Sequence, residues 1–180
     1  GGDLDTMLNA CIEAGLSSIE LLGGGVEDYL GAPKYPIQRH HGADNPLTDG
    51  EKRTVNQYYG ELNEWRREKS TTDAYVRLRK KFNDAGVNIH LYNWMAGESE
   101  EELDYSFKVA KVLGAIGIIA ELNDKNARLL GPVAKSNGMV VMFHNHAQYA
   151  DPGIDVDKLL SYSSANRLNF DVGHYFGSTC

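Results

Sequence analysis

The chain has 180 residues, 42% of them hydrophobic, and a formal net charge of −7, which is typical of one globular domain with a real core. The negative charge disfavours binding to nucleic-acid phosphates, and no apolar run approaches the roughly 18 residues that a membrane-spanning helix needs. Cys11 and Cys180 do not form the pattern of a disulfide framework or a zinc ribbon. The first residue is not Met, so a cytoplasmic and a periplasmic location both stay open.

The first predicted elements are a helix, a strand and a long loop. Apolar residues at helical spacing predict a helix over 3–16, which Gly15 ends. Residues 17–22 predict a short strand that runs into three glycines. Residues 26–50 are rich in Pro, Gly, Asn and Asp and predict an irregular loop, and loops of this length inside a domain are usually functional or disordered.

Two helices and a strand follow the loop. Thr48 and Glu51 have the spacing of a capping box, which predicts the start of a helix over 48–70. Residues 71–86 predict a second helix, and 87–95 a strand.

The remaining elements continue the alternation. They are a helix over 98–114, a strand over 115–122, a helix over 124–138 with a kink or break at Pro132, a strand over 139–146, a short helix over 155–163 and a strand over 167–174. Strands that alternate with helices predict a parallel α/β sheet in one domain.

Ionisable side chains recur at the carboxyl ends of the predicted strands, where parallel α/β sheets bind their ligands. They are Glu20, Glu121, His144, His146, Asp171 and His174, and the strand over 87–95 carries His90 and Trp94. Each also has a structural interpretation, such as a surface acid, a helix N-cap or core packing. Asp171 is predicted to extend the last strand, because "DVGH" does not read as the start of a helix.

Side-chain alternation brings the two histidines of "MVVMFHNH" to one face, because residues i and i+2 of a strand share a face. Asn169 and Asp171 share a face for the same reason. Imidazoles and carboxylates that converge could ligate Zn, Mn or Fe, or could act as general acids and bases.

The segments "GLSSIELLG", "FNDAGVNIHLYNW", "AKVLGAIGIIAEL", "GMVVMFHNH" and "LNFDVGHYFGS" together resemble the sugar phosphate isomerase/epimerase family, the xylose isomerase-like TIM barrels. The resemblance implies a (β/α)8 barrel that is incomplete in this chain, with about five βα units corresponding to strands two to six. It also implies a single domain over 1–180 that is truncated at both ends. A doubly wound sheet is the alternative fold.

The resemblance further implies a divalent metal (Mn, Zn, Mg or Co). Asp171 matches the family's metal-binding Asp of strand six, and His174 matches a following His that contacts substrate. His144 stands where the commonest pattern has Glu, so Glu121 could supply the missing carboxylate. The implied metal ligands are therefore Glu121, His144 and Asp171. The implied catalytic residues are Glu121, His146 and His174, and the implied substrate-binding residues are His90, Trp94 and His174.

The function implied is a metal-dependent isomerase or epimerase of a sugar or keto-sugar, working through an enediolate. A lyase, dehydratase or 3-keto-glycoside-cleaving enzyme on the same scaffold is the alternative. A non-catalytic carbohydrate-binding relative or an inactive fragment is the second. The expected partner is a small carbohydrate rather than nucleic acid or a membrane, and the formation of a homo-oligomer stays open.

Overall fold

Five parallel strands form a single sheet whose order follows the chain: β1 (Ser18–Leu22), β2 (Asn88–Asn93), β3 (Gly117–Glu121), β4 (Val140–His144) and β5 (Asn166–Asn169). The computed structural model describes residues 3–69 and 72–180. The predicted parallel α/β sheet is confirmed. A strand order without reversal excludes the doubly wound alternative, which has a topological switch point, and is the order of strands in a (β/α)8 barrel.

Helices precede and follow the strands. They are α1 (Leu4–Glu13), α2 (Val26–Tyr29), α3 (Asp49–Glu64), α4 (Thr72–Asp84), α5 (Glu100–Leu113), α6 (Asp124–Ser136), α7 (Val156–Ser161) and α8 (Val172–Thr179), with short 3-10 turns at Gly23–Gly25 and Gln148–Ala150. The helix predicted over 48–70 is α3 and a π-helical turn at Trp65–Lys69, while 70–71 lie outside the described residues. No helix in the described part of the chain is long and apolar enough to cross a membrane.

The two faces of the sheet differ in burial. In β4, Val141 and Phe143 are fully buried in the main hydrophobic core, whereas Val140, Met142 and His144 are only half-buried. This alternation shows that one face of the strand packs into the core and the other is open. The open face carries the polar end of the strand, so it is the face on which a ligand could bind.

The structure corrects two sequence predictions about the last third of the chain, one of them in part. The strand predicted over 167–174 ends at Asn169, and α8 begins two residues after Phe170 because the Asp171 carboxylate accepts the backbone N–H of His174 as an N-cap. Of the kink or break predicted at Pro132, the break is absent, because α6 is continuous. The preceding Gly131 has no Cβ to clash with the proline ring, which removes one of the usual costs of proline inside a helix.

The irregular loop is shorter than predicted, because α2 takes its first residues and α3 its last. Arg39 connects the loop to α3 through two bonds to the Glu51 carboxylate, at 2.8 and 2.6 Å, and it also donates to the carbonyl of Pro46 within the loop at 3.1 Å. Glu51 and Thr48 also form both reciprocal hydrogen bonds of a capping box, so the predicted capping box is confirmed. These bonds, first that from Arg39 and then those from Thr48, lower the pKa of Glu51 to about 2.

A pH-dependent stability follows from this carboxylate. Its folded-state pKa lies below the unfolded value of about 4.3, so the stabilisation is present above that pH and is lost as pH falls towards about 2. We expect Glu51→Gln to lower the thermal midpoint at neutral pH, and the difference from wild type to shrink below about pH 4. Thermal unfolding followed by circular dichroism at several pH values measures this difference in thermal midpoint. The exposed Glu64→Gln on α3 is the control. A difference that is independent of pH would contradict the assignment.

Candidate functional site

Register places three polar side chains in one row at the carboxyl end of the sheet. Glu121 of β3 pairs with His144 of β4, and His144 pairs with Asn169 of β5. Register partners in a parallel sheet share a face, so the three side chains project from the open face described above. The row lies at the edge where parallel α/β proteins bind ligands.

Three imidazoles converge beside this row. His144 ends β4, His146 follows in the next loop and His174 lies in the first turn of α8. Their ring centroids lie 4.7 Å (His144–His146), 5.5 Å (His144–His174) and 4.4 Å (His146–His174) apart. One nitrogen from each ring lies within 4.8 Å of the others. A tetrahedral Zn²⁺ with Zn–N bonds of about 2.0–2.1 Å places its ligand nitrogens about 3.4 Å apart, so the three rings would have to rotate towards one another to bind one ion.

Glu121 contacts His146 rather than standing alone. Its Oε1 lies 2.9 Å from His146 Nε2, and its Oε2 accepts a 3.5 Å contact from Gln148 Nε2. A proton on Nε2 makes the first contact a hydrogen bond and leaves Nδ1 as the ring's ligand atom. Metal-binding histidines are commonly oriented in this way by a carboxylate. Both side chains are about half exposed, at 54% for Glu121 and 49% for His146, so a ligand from solvent can reach them.

Asp171 connects the row to α8. One oxygen of its carboxylate accepts the backbone N–H of His174 at 2.7 Å. This bond, with a smaller attraction from the His174 and His144 rings, holds the pKa of Asp171 below its ordinary value. The carboxylate therefore positions His174 through the backbone, and a smaller contribution from the backbone N–H of Gly173 also favours its charged form.

Asn145 is fully buried and fixes the position of Asp171. Its Nδ2 donates to the Asp171 carbonyl at 3.1 Å, and its Oδ1 accepts the Asp171 N–H at 2.8 Å. The side chain thus extends the pairing of the two chain segments beyond the last residues of their strands. The sequence analysis missed this role, although a polar residue on the core-facing side of an otherwise apolar strand was a signal that could have found it.

The two predicted substrate-binding residues of β2 lie in different surroundings. His90 is exposed in the middle of β2. It has no pairing partner on β1, because the register shifts there: Ile19 pairs with Ile89 and Glu20 with Leu91. Trp94 is half-buried, with its ring centroid 5.7 Å from that of Tyr92.

A guanidinium covers the Trp94 ring. The Arg66 carbon Cζ lies 5.2 Å from the ring centroid, and Arg66 forms two 2.9 Å bonds to the Glu27 carboxylate. The structure thus packs Trp94 into an aromatic and ion-paired cluster. Whether this face also stacks on a sugar stays a prediction.

A cavity of about 460 Å³ adjoins this cluster and is lined in part by Arg66, Tyr105 and Lys108. None of the three converging histidines lines it. Arg66 is committed to Glu27, and the cavity lining carries three carboxylates, Glu101, Glu102 and Asp104. Within residues 3–69 and 72–180, however, the group of three metal-ligating side chains whose ligand atoms lie within 4.8 Å of one another is that of the histidines. The chemistry of the side chains, rather than the volume of the cavity, therefore places the candidate site at the histidines.

Comparisons with known proteins define the fold. No protein-family model and no curated protein matches the chain. A solved sugar phosphate isomerase/epimerase from Parabacteroides distasonis has 15% identity and a TM-score of 0.52 over 98% of this chain and 62% of its own. A protein described as the probable 3-DHS dehydratase AsbF, involved in petrobactin synthesis, from Bacillus anthracis has 13% identity and a TM-score of 0.56 over 99% of this chain and 61% of its own.

A third match is a xylose isomerase-like TIM barrel/4-hydroxyphenylpyruvate dioxygenase fusion protein, with 15% identity and a TM-score of 0.53 over 93% of this chain and 24% of its own. The fold is therefore that of the xylose isomerase-like TIM barrels, present here as an incomplete barrel of five strands. The resemblance to sugar phosphate isomerase/epimerase proteins is confirmed at the level of the fold, and the chain spans about three fifths of the first and second of these structures.

The metal affinities of single variants would distinguish the three histidines from the ligand set that the family resemblance implies. We expect one equivalent of Zn²⁺ or Co²⁺, measured by titration against a chromophoric chelator. If the three histidines are the ligands, His146→Ala and His174→Ala lower the affinity at least about 10- to 100-fold. Asp171→Asn keeps a good N-cap while removing the carboxylate, so under this set it has a small effect.

The exposed His40→Ala is the control and should bind like wild type. The set implied by the family resemblance, Glu121, His144 and Asp171, predicts the reverse pattern: Asp171→Asn abolishes binding and His146→Ala leaves it intact.

Removing the Asn145 amide should weaken both the fold and the site. Asn145→Ala leaves the N–H and carbonyl of Asp171 without these partners, and we expect a loss of about 1–3 kcal/mol in the free energy of unfolding, measured with urea. We also expect weaker metal binding, because His174 is no longer held. The exposed Asn9→Ala on α1 should change stability by no more than about 0.5 kcal/mol. Unchanged stability and affinity in Asn145→Ala would refute this role.

Proposed function

We propose that the chain carries the catalytic site of a metal-dependent isomerase or epimerase acting on a sugar or keto-sugar. The observation that supports this is the convergence of His144, His146 and His174, with Glu121 against His146, at the carboxyl edge of a parallel sheet. The chain spans only part of its structural neighbours, so the substrate and activity of the whole protein are part of the proposal.

In this proposal the three imidazoles hold the divalent ion and Glu121 moves the proton. A bound ion would polarise the carbonyl oxygen and the neighbouring hydroxyl oxygen, and would stabilise the enediolate as a Lewis acid. Glu121 removes the proton from the carbon next to the carbonyl. In an isomerisation it returns that proton to the neighbouring carbon. In an epimerisation a second acid would donate a proton to the same carbon from the other face, while Glu121 keeps the proton that it removed.

The contacts of Glu121 suit this role. His146 and Gln148 hold its two oxygens, while half of the side chain stays open to solvent. A carboxylate that is oriented but accessible can meet a substrate carbon, whereas one enclosed by donors could not. Trp94 and His90 are the proposed substrate contacts on the β2 side of the sheet.

A dehydratase or lyase is the second candidate. An enediolate with a leaving group on the adjoining carbon expels it instead of being reprotonated, so the first step is common to both reactions. The likeness to a protein described as a probable dehydratase favours keeping this candidate.

Proton exchange with solvent tests the shared first step. We expect the metal-loaded chain in D₂O to replace the hydrogen next to the carbonyl of D-fructose or D-xylulose with deuterium, as followed by proton NMR. Glu121→Gln should slow the exchange at least about 100-fold, because the general base is lost. The exposed Glu101→Gln on α5 is the matched control.

The products separate the two candidates. Carbonyl migration or inversion at the exchanged carbon indicates the isomerase or epimerase, whereas an unsaturated carbonyl product, seen by its ultraviolet absorbance, indicates the dehydratase. Absence of exchange from both sugars with every divalent metal would refute the proposed step for these substrates.

A further inference from the structure

A hydrogen bond joins the two outer strands of the sheet across its open face. Asn169 Nδ2, at the end of β5, donates to Glu20 Oε1 of β1 at 3.0 Å. β1 and β5 are opposite ends of the strand order, so no backbone ladder connects them. The sheet therefore curves until side chains from its first and last strands meet.

The joined pair keeps further hydrogen-bonding capacity. Glu20 is exposed and Asn169 is half-buried. Across the described ranges 3–69 and 72–180, the Asn169 donor is the one partner of the Glu20 carboxylate, and the Asn169 amide has no other hydrogen bond. A carboxylate can accept several hydrogen bonds, while an amide has two donors and one acceptor oxygen. The pair can therefore accept from several hydroxyl groups and donate to one.

The pair lies next to the histidines. Asn169 is the register partner of His144, and neighbouring strands lie about 4.8 Å apart. Glu121, His144 and Asn169 form the row described above, and Glu20 continues it on the far side. A short acyclic polyol that reached the histidines with one end would meet this pair with its next hydroxyl groups.

We propose that Glu20 and Asn169 form a hydroxyl-binding subsite that recognises the polyol part of a carbohydrate next to the histidine cluster. The inference rests on the proposed carbohydrate function, and it adds which side chains select the substrate. The Glu20 carboxylate accepts hydrogen bonds from two neighbouring hydroxyls. Asn169 holds that carboxylate in place and donates its second N–H to a third oxygen. Glu20 is therefore a specificity residue, and Asn169 both positions it and binds.

Binding of a polyol without a carbonyl tests the subsite separately from catalysis. Xylitol, observed by saturation-transfer NMR with the metal-loaded chain, should bind to the wild type. Glu20→Gln should weaken binding about tenfold, because a charged acceptor oxygen is replaced by a neutral one and the other oxygen by a donor NH₂ group. Asn169→Ala, which frees the Glu20 side chain, should weaken it several-fold. Glu13→Gln, the same change at an exposed position on α1, should leave it unchanged.

Stability and metal affinity separate recognition from a structural link between the strands. We expect the thermal midpoint and the Zn²⁺ affinity of Glu20→Gln to stay close to wild type while xylitol binding falls. Equal xylitol binding by wild type and Glu20→Gln would overturn the inference, as would absence of xylitol binding to the wild type, or a loss of binding that follows a loss of stability in both Glu20→Gln and Asn169→Ala.

The two proposals fail in different ways. Xylitol binding that depends on Glu20, without deuterium exchange from any sugar, would refute the catalytic proposal and support the subsite. Deuterium exchange that persists with unchanged KM in Glu20→Gln would support the catalytic proposal and refute the subsite.

Discussion

The register of the parallel sheet is the constraint on which the site depends. Glu121, His144 and Asn169 share a row only because β3, β4 and β5 pair at this register. The alternating burial of β4 specifies it, since a slip of one residue would turn Val141 and Phe143 outward and His144 into the core. The apolar face of each strand thus determines the chemistry of the other face.

Hydrogen bonds outside the strands position the histidines that do not lie on the sheet. Of the three converging histidines, the sheet alone would present only His144. His146 and His174 come from segments outside the strands. The buried Asn145 joins the end of β4 to Asp171, and Asp171 caps the helix that carries His174. A single amide and a single carboxylate therefore transmit the geometry of the sheet to α8. Loss of either side chain should therefore displace His174, because Asn145 positions Asp171 and Asp171 positions His174.

Elements with a strong local pattern were predictable from the sequence. The capping box of Thr48 and Glu51, Gly15 after the first helix and the apolar strand interiors indicate parallel α/β structure locally, and the polar strand ends indicate the edge at which the candidate site lies. Features that depend on tertiary contacts were not. α8 depends on aromatic contacts of Tyr175 with Tyr149 and Phe170 in addition to its cap. The bond between Glu20 and Asn169 spans 149 positions of sequence, so no local pattern could indicate it.

The outcome of an enediolate depends on how the hydroxyl groups around it are held. Isomerase and dehydratase candidates share proton removal and differ in whether a neighbouring hydroxyl leaves. A hydroxyl departs readily when an acid protonates it, whereas one that donates its proton to a carboxylate becomes more electron-rich and leaves less readily. With Glu20 accepting from substrate hydroxyls, the subsite would retain them and favour reprotonation of carbon. Under the two proposals, the acceptor character of this one side chain would favour isomerisation or epimerisation, and elimination would need a proton donor in its place.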